Sequence, residues 1–383
     1  MNTLKILHVI TGLELGGAER MLHRLLAHAT PCDGTRAVVS LIAPGPMAAP
    51  IEALGIPVHS LNMRRGLPGV AGWWRLRTLV REFDAQLVVA WMYHANLMSR
   101  LAVPAGGPPV IWGVRQSLSA TGEERWSTRA AIRAGAWLSA HATRIVYNSD
   151  TSRRQHEASG FAADKSIVIA NGFDTTLFRP QPALRGPLRH TLGIPAGRIV
   201  VGHVARYHPM KDHAGLLAAA AVCLSRNQNM HFVLAGSGVD VGNAELMQHV
   251  AAHGLENHVS LLGPRNDIER ILPALDIVVQ SSASREGLPN AIGEAMACGI
   301  PCVATDVGDS RVLMGDSGLC VPPRDPHALA GALCRLATTD AADRTARGQA
   351  ARKRIIAHYG MQACVAGFEN LMKEVAGERN SGS

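Results

Sequence analysis

A chain of 383 residues with 47% hydrophobic content exceeds what one core usually supports, so two packed domains are expected. Nothing in it approaches the ~18 consecutive apolar residues that cross a bilayer, and its first residues lack the length and cleavage pattern of an export signal. The seven cysteines (Cys32, Cys223, Cys298, Cys302, Cys320, Cys334, Cys364) show no C-x-x-C pair and no zinc spacing, so reduced thiols in a cytoplasmic protein are expected.

In chain order, Leu4 to Ile10 reads as a buried strand. Gly12 to Arg20 follows as a glycine-rich turn into a helix, where Gly16 and Gly17 let the backbone approach a ligand closely. The spacing is not the dinucleotide G-x-G-x-x-G, and no acidic residue ends a second strand about 20 residues on, which disfavours a dehydrogenase. Strand-like runs recur at Val38 to Ile42, Leu87 to Trp91, Val110 to Val114, Arg144 to Asn148 and Ser166 to Ile169, alternating with helical stretches. That rhythm implies parallel sheets.

It restarts after the proline- and arginine-rich stretch Arg179 to Pro187, with strands at Ile199 to Val204, His231 to Leu234, Val259 to Leu262, Ile277 to Val279 and Pro301 to Ala304. The expected fold class is therefore α/β, with two Rossmann-like doubly wound parallel-sheet domains over residues 1–186 and 187–360, their carboxyl edges facing a central cleft. Val365, Phe368, Leu371, Met372 and Val375 follow a 3.6-residue period, so a helix over Met361 to Val375 is predicted to pack back on the first domain, ahead of a frayed tail to residue 383.

Between Ser284 and Gly299 a turn and a helix are legible: Pro289 suits the first helical position and Gly299 the left-handed stop. The unpaired amides at Gly287, Leu288 and Asn290 would form a positive terminus suited to a phosphate. Glu286 precedes that terminus and Glu294 lies one to two turns inside it, on the face of Asn290. A capping Glu286 and a solvated Glu294 are the plainer alternative. Arg206 and Lys211 lie just beyond the strand Ile199 to Val204, where two cations can clamp a leaving diphosphate or can simply be a surface pair. No Asp-x-Asp ends a strand, so cationic stabilisation without a metal is expected. Gly236 falls in the turn after the strand at His231.

Taken in order, GGAER (Gly16 to Arg20), NGFDTTLF (Asn171 to Phe178), VARYHPMKD (Val204 to Asp212), LAGSG (Leu234 to Gly238) and EGLPNAIGEAMACGIPCVATDVGD (Glu286 to Asp309) make the chain resemble family four of the glycosyltransferases over nearly its whole length. The resemblance implies a GT-B enzyme that transfers a hexose from a UDP- or GDP-sugar with retention and without an obligatory metal or other cofactor. It is similar to the members that build bacterial exopolysaccharide, capsule or O-antigen. It implies that Arg206 and Lys211 bind the diphosphate, Glu294 the ribose and Glu286 the donor sugar, and that Gly16 and Gly17 close over the donor. The base is expected against backbone near Asn266.

Two positions depart from the family pattern. Many relatives carry a histidine after the strand Val110 to Val114, where this chain reads Arg115-Gln116-Ser117 and Gln116 takes that place. Arg311 stands near where relatives often have a glutamate. His94, at the end of another strand, is a further polar contact to donor or acceptor, with a satisfied core histidine the alternative.

The positive excess sits in the first half: residues 1–180 hold 19 Lys+Arg against 12 Asp+Glu, and residues 181–383 hold 19 against 18. Arginines interleave with tryptophans there, at Arg64, Arg65, Trp73, Trp74, Arg75, Arg77 and Arg81, and again from Arg125 and Trp126 through Arg129 and Arg133 to Trp137. Together they point to a glycan or lipid-linked glycan acceptor and peripheral contact with the inner face of a membrane, rather than to nucleic acid. Inward-packed tryptophans on solvated helices are the alternative. A nucleotide-sugar epimerase and a non-catalytic sugar-binding protein are the rival functions.

Overall fold

A computed structural model describes residues 4–29, 35–64, 69–118, 126–226 and 229–381. Cys32, Arg65, Arg125 and the last two residues lie outside the described residues. In chain order the elements are β1 (Ile6–Ile10), α1 (Gly17–His28), β2 (Arg36–Ser40), α2 (Ala48–Glu52), β3 (Val58–Ser60), α3 (Val70–Glu82), β4 (Leu87–Trp91), α4 (Tyr93–Ala102), β5 (Val110–Val114), α5 (Trp126–Leu138), β6 (Arg144–Tyr147), α6 (Asp150–Ala158) and β7 (Ser166–Val168). There follow α7 (Pro182–Thr191), β8 (Ile199–Val204), α8 (His213–Arg226), β9 (Met230–Ala235), α9 (Ala244–Ala252), β10 (Val259–Leu261), α10 (Ile268–Ile271), β11 (Ile277–Gln280), α11 (Asn290–Ala297), β12 (Cys302–Thr305), α12 (Ser310–Met314), β13 (Leu319–Val321), α13 (Pro326–Thr338), α14 (Ala341–His358) and α15 (Met361–Ser381).

The chain divides into two compact units, Met1–Gly172 with Met361–Ser383 and Phe173–Gly360. The division falls ahead of the proline-rich stretch, and local bonds explain why. Phe173 N donates to Tyr359 O (2.8 Å), and the Arg352 guanidinium donates to Thr175 O (3.1 Å) and Phe178 O (3.0 Å). Residues 173–178 are thereby tied to α14 of the second unit.

In the first unit the strands run parallel in the order β3-β2-β1-β4-β5-β6-β7. β1, β4 and β5 are buried at every position, as their unbroken apolar runs require when helices cover both faces. Ile6, Ile10, Val89, Trp91 and Ile111 face α1 and α15; Leu7, Val9, Val88, Ala90 and Trp112 face α3, α4 and α5. Helix α15 buries Met361, Cys364, Val365, Phe368, Leu371, Met372 and Val375, and Phe368 stacks on Trp91 with centroids 5.8 Å apart. It does not fray after Val375 but continues to Ser381, because Glu374 and Glu378, one turn apart, both accept from Arg144 (2.9 and 2.8 Å).

The second unit is a parallel sheet in the order β10-β9-β8-β11-β12-β13. Helix α7 is fastened to it by Asp276, which pairs with Arg185 and with Arg189 (2.6 Å) and accepts from Val200 N (2.7 Å). Each sheet reverses strand order once, at β1/β4 and at β8/β11. Crevices open at such points beyond the carboxyl ends of strands.

Candidate active site

The second unit's switch point is built by three loops. After β8 the chain passes Ala205 and Arg206 into a short 3-10 turn, Pro209–Lys211. Asp212 ends that turn in the left-handed conformation (φ 50°) and steadies it by accepting from Gly215 N (3.0 Å). The loop after β11 is sewn alongside: Ala283 N donates to Met210 O (2.8 Å) and Ser281 Oγ to Lys211 O (2.7 Å). The loop after β12 presses on both. At Gly308 (φ 61°) a Cβ would overlap the carbonyls of Glu286 and Gly287, and Asp309 N donates to Gly287 O (2.9 Å).

This framework brings Lys211 and Glu286 together across the switch point. The Lys211 ammonium pairs directly with Glu286 Oε1, which also accepts from Ser282 Oγ (2.6 Å). Ser282 is itself held by Gln280 Nε2 (3.2 Å), and its carbonyl by Thr305 Oγ1 (2.6 Å). Burial acts to raise the Glu286 pKa. The opposing charge and hydrogen bond of Lys211, the Ser282 hydroxyl and the Arg206 charge outweigh it and hold the carboxyl below the usual range. Arg285, just before it, takes a left-handed backbone (φ 60°), uncommon for a side chain of that size. Arg206 is exposed, and its guanidinium reaches Met210 Sδ at 3.9 Å.

Two imidazoles pack beneath Lys211 that the sequence reading did not single out. His203 donates from Nδ1 to Val279 O (3.0 Å), and its ring meets His213 edge-on with centroids 4.9 Å apart. Burial, with Lys211 among the minor contributors, lowers His203 to about 4 and His213 to about 2, so both are neutral supports. His203 could have been found as a polar residue inside an apolar strand. Ser282, in a serine-rich loop, carried no such signal.

Helix α11 starts at Asn290, with Pro289 as its cap (φ −75°, ψ 110°) rather than its first turn, and ends before Gly299 in the left-handed region (φ 74°). Gly287 and Leu288 are buried ahead of it, and Asn290 is half-buried. Glu294 is buried in mid-helix, not solvated. Gly236 lies beside Ala205, where a Cβ would overlap the Ala205 carbonyl, and its amide donates to Gly263 O (2.8 Å). Asn266 is exposed in the loop after β10, at the end of the strand order.

The other expected residues lie at the carboxyl edge of the first unit's sheet. Gly16 caps α1, Gly17 opens it, and a Cβ at Gly16 would meet the Glu19 carboxylate. His94 is the second residue of α4, half-buried, and burial lowers its pKa, which favours the neutral ring. It follows Met92, whose backbone (φ 74°, ψ 161°) lies in a region that only glycine enters readily. Gln116 accepts at its carbonyl from Ser152 Oγ (2.7 Å). Arg311, by contrast, lies in α12 of the second unit and pairs with Asp306 (2.6 Å) on the surface.

Two family models match the chain: "Glycosyltransferase Family 4" over residues 15–177 and "Glycosyl transferases group 1" over residues 198–339. The chain belongs to the family 4 glycosyltransferases. Among similar proteins, "Putative glycosyltransferase EpsF" of Bacillus subtilis is 29% identical over 327 residues, 82% of each chain. The D-inositol 3-phosphate glycosyltransferase of Rhodococcus erythropolis is 34% identical over 209 residues, 52% of this chain and 47% of that protein. The structure of HepE from Anabaena in complex with UDP-glucose superposes with a TM-score of 0.85 at 25% identity, covering 97% of this chain and 100% of that one. A glycosyltransferase from Rickettsia africae shares the fold at TM-score 0.81 and 17% identity, over 98% and 99%. The fold is GT-B, and the protein is a glycosyltransferase.

Proposed function

We propose that this glycosyltransferase moves a hexose from a nucleotide sugar to a glycan or lipid-linked glycan with retention of configuration, in the assembly of an exopolysaccharide, capsule or O-antigen. The observation that carries the reading is the Lys211–Glu286 pair at the β8/β11 switch point, with Arg206 beside it and the start of α11 adjoining. A UDP-sugar is the first donor to test, since the HepE structures are complexes with UDP, UDP and glucose, and UDP-glucose. A GDP-sugar is the second.

In this reading the bond from the anomeric carbon to the β-phosphate oxygen breaks and its electron pair stays on the phosphate. Lys211, Arg206 and the amides from Gly287 to Asn290 stabilise the developing charge more strongly as the bond lengthens. The acceptor oxygen attacks the same face, and its proton passes to the departing phosphate oxygen. Glu286 holds donor-sugar hydroxyls, Glu294 the ribose, and Gly236 and the Asn266 loop the rest of the nucleotide. Gly16, Gly17, His94 and Gln116 serve donor or acceptor from the first unit. Because cations do the electrostatic work, no metal or other cofactor is required.

A lipid-linked acceptor accords with one surface of the first unit. Trp74, Trp126 and Trp137 are 55%, 70% and 80% exposed, and on α5 Trp126, Arg129, Arg133 and Trp137 form one exposed stripe on a helix without a single acid. Indoles between arginines suit an anionic bilayer surface. No helix among the described residues is long and apolar enough to cross a membrane.

The deciding experiment is a thermal-shift and donor-hydrolysis screen across nucleotide sugars, repeated on Lys211→Ala and Glu286→Ala. Binding of no nucleotide sugar at all sinks the reading, and turnover of donor into an isomer without acceptor makes the protein an epimerase. Activity lost in excess chelator and restored by Mg²⁺ or Mn²⁺ overturns the cation-only account.

A further inference from the structure

Arg115 follows β5 at the carboxyl edge of the first unit's sheet and has no part in the site described above. Its guanidinium lies over the ring of Trp91 at 4.6 Å and that of Phe368 at 5.1 Å. Its Nε, Nη1 and Nη2 are all buried, and none has a hydrogen-bond partner among the described residues. The residue as a whole is only partly buried, so its charged head is the inner end. Arginine ordinarily does the reverse, packing its stem and leaving the charge in water.

The arrangement is costly as it stands. Burial lowers the Arg115 pKa to about 10, which still leaves a full cation at neutral pH, and the nearest opposing group is Cys364, a thiol that burial pushes up and so keeps neutral. The two rings, stacked on each other with centroids 5.8 Å apart, stabilise the cation from adjoining directions. They do nothing for its N–H donors, which all point outward in the guanidinium plane. A buried cation with unmet donors calls for an oxyanion, and the planar fork of a guanidinium suits bidentate contact with one.

Neighbouring positions on the same edge fit this. Asn148, after β6, donates from Nδ2 to the Arg115 carbonyl (3.3 Å), while its Oδ1 is buried without a partner among the described residues. Thr11, after β1, has a buried hydroxyl that is likewise unmet. Both suit hydroxyls flanking an anionic group.

We propose that Arg115 is an oxyanion-binding residue of the first unit, which receives a carboxylate or phosphate carried by the acceptor. That the acceptor carries it rests on the transfer reading; the binding itself does not.

The test is thermal melting in inorganic phosphate, pyrophosphate or glucuronate, each against chloride at equal ionic strength. It is run in an Arg206→Ala, Lys211→Ala background, so that the second unit's cations do not respond. With Arg115 intact, at least one oxyanion is expected to raise the melting temperature by about 2–4 °C near saturation. Arg115→Met melts no lower than its parent in chloride, because it removes an unpaired charge, and loses the shift. Arg115→Lys keeps only part of it, since an ammonium cannot form the fork. A phosphate-only response names a phosphorylated acceptor, and a glucuronate response a uronic acid. No shift with Arg115 intact, or the same shift in Arg115→Met, overturns the proposal. A protein that binds no nucleotide sugar yet keeps the Arg115-dependent shift has lost the transfer reading and kept this site.

Discussion

The carboxyl edges of the two sheets settle their charges in opposite ways. At the β8/β11 edge Lys211 and Glu286 answer each other, Ser282 completes the carboxylate, and the loops are bonded to one another through backbone and hydroxyl contacts. At the first unit's edge the Arg115 fork, the Asn148 oxygen and the Thr11 hydroxyl are buried without partners among the described residues, and Trp91 and Phe368 supply the packing. A paired edge holds its shape unaided, which is how electrostatic preorganisation is built. An edge held by aromatic packing leaves polar groups free for a guest.

The comparison can be broken most sharply at Lys211. Lys211→Met leaves Glu286 buried without its counter-charge and removes a cation from the leaving group, so kcat is expected to fall by ~10²–10³. Steady-state transfer from UDP-glucose measures it; a rise in KM with kcat intact would mean that the cation binds donor and transition state equally. A change at Arg115 should act instead on whichever acceptor carries an oxyanion.

Smaller effects come from the glycines. Gly308→Ala forces a left-handed alanine against two backbone carbonyls that cannot swing away, and is expected to cost about 1–3 kcal/mol by denaturant unfolding. Gly16→Ala meets only the Glu19 carboxylate, at an ordinary backbone angle (φ −106°), and is expected to cost under ~0.5 kcal/mol. Equal costs would remove the contrast between a rigid edge and an adaptable one.

Acid tests both units together. Burial lowers His8 to about 3 and His156 to about 4 in the first unit, and His203, His213 and His231 to about 4, 2 and 4 in the second. Folded values below the unfolded 6.5 mean that the unfolded chain takes up protons first. The stability they contribute is complete above about pH 6.5 and declines as pH falls toward 4. Glu286, held below its ordinary value, adds a loss of the same sign at lower pH. Melting temperatures from pH 8 to 4 read this out, and a curve flat through pH 5 contradicts it.

The last contrast concerns the proposed membrane role of the α5 stripe. Trp126→Ala with Trp137→Ala is expected to lower co-sedimentation with phosphatidylglycerol vesicles about tenfold, while phosphatidylcholine vesicles bind little in either case. Equal binding to both lipids would remove the charge argument.

Much of the fold was legible because unbroken apolar runs report strands buried on both faces: β4 and β5 match their predicted ends, and β1, β6 and β7 fall within a residue or two. The edge strands β3 and β13 escaped notice: each is three residues long, and His59 and Ser60 break any apolar run in β3. At the site, Arg206, Lys211, Glu286 and Gly236 could be read from turns at strand ends. His203 stood out only as a polar residue in an apolar strand, and Ser282 and His213 not at all, because their relevance depends on which strands become neighbours.

The sequence by itself determined the order of elements, the two carboxyl edges and the charges at their loops, since these depend on local pattern and on residues a few positions apart. Only the tertiary structure decided that Lys211 meets Glu286, that Glu294 is buried, that the α5 indoles face outward, and that Arg115 turns its charge inward beneath α15. Burial and pairing between distant segments arise from packing the whole chain, which no local window of sequence contains.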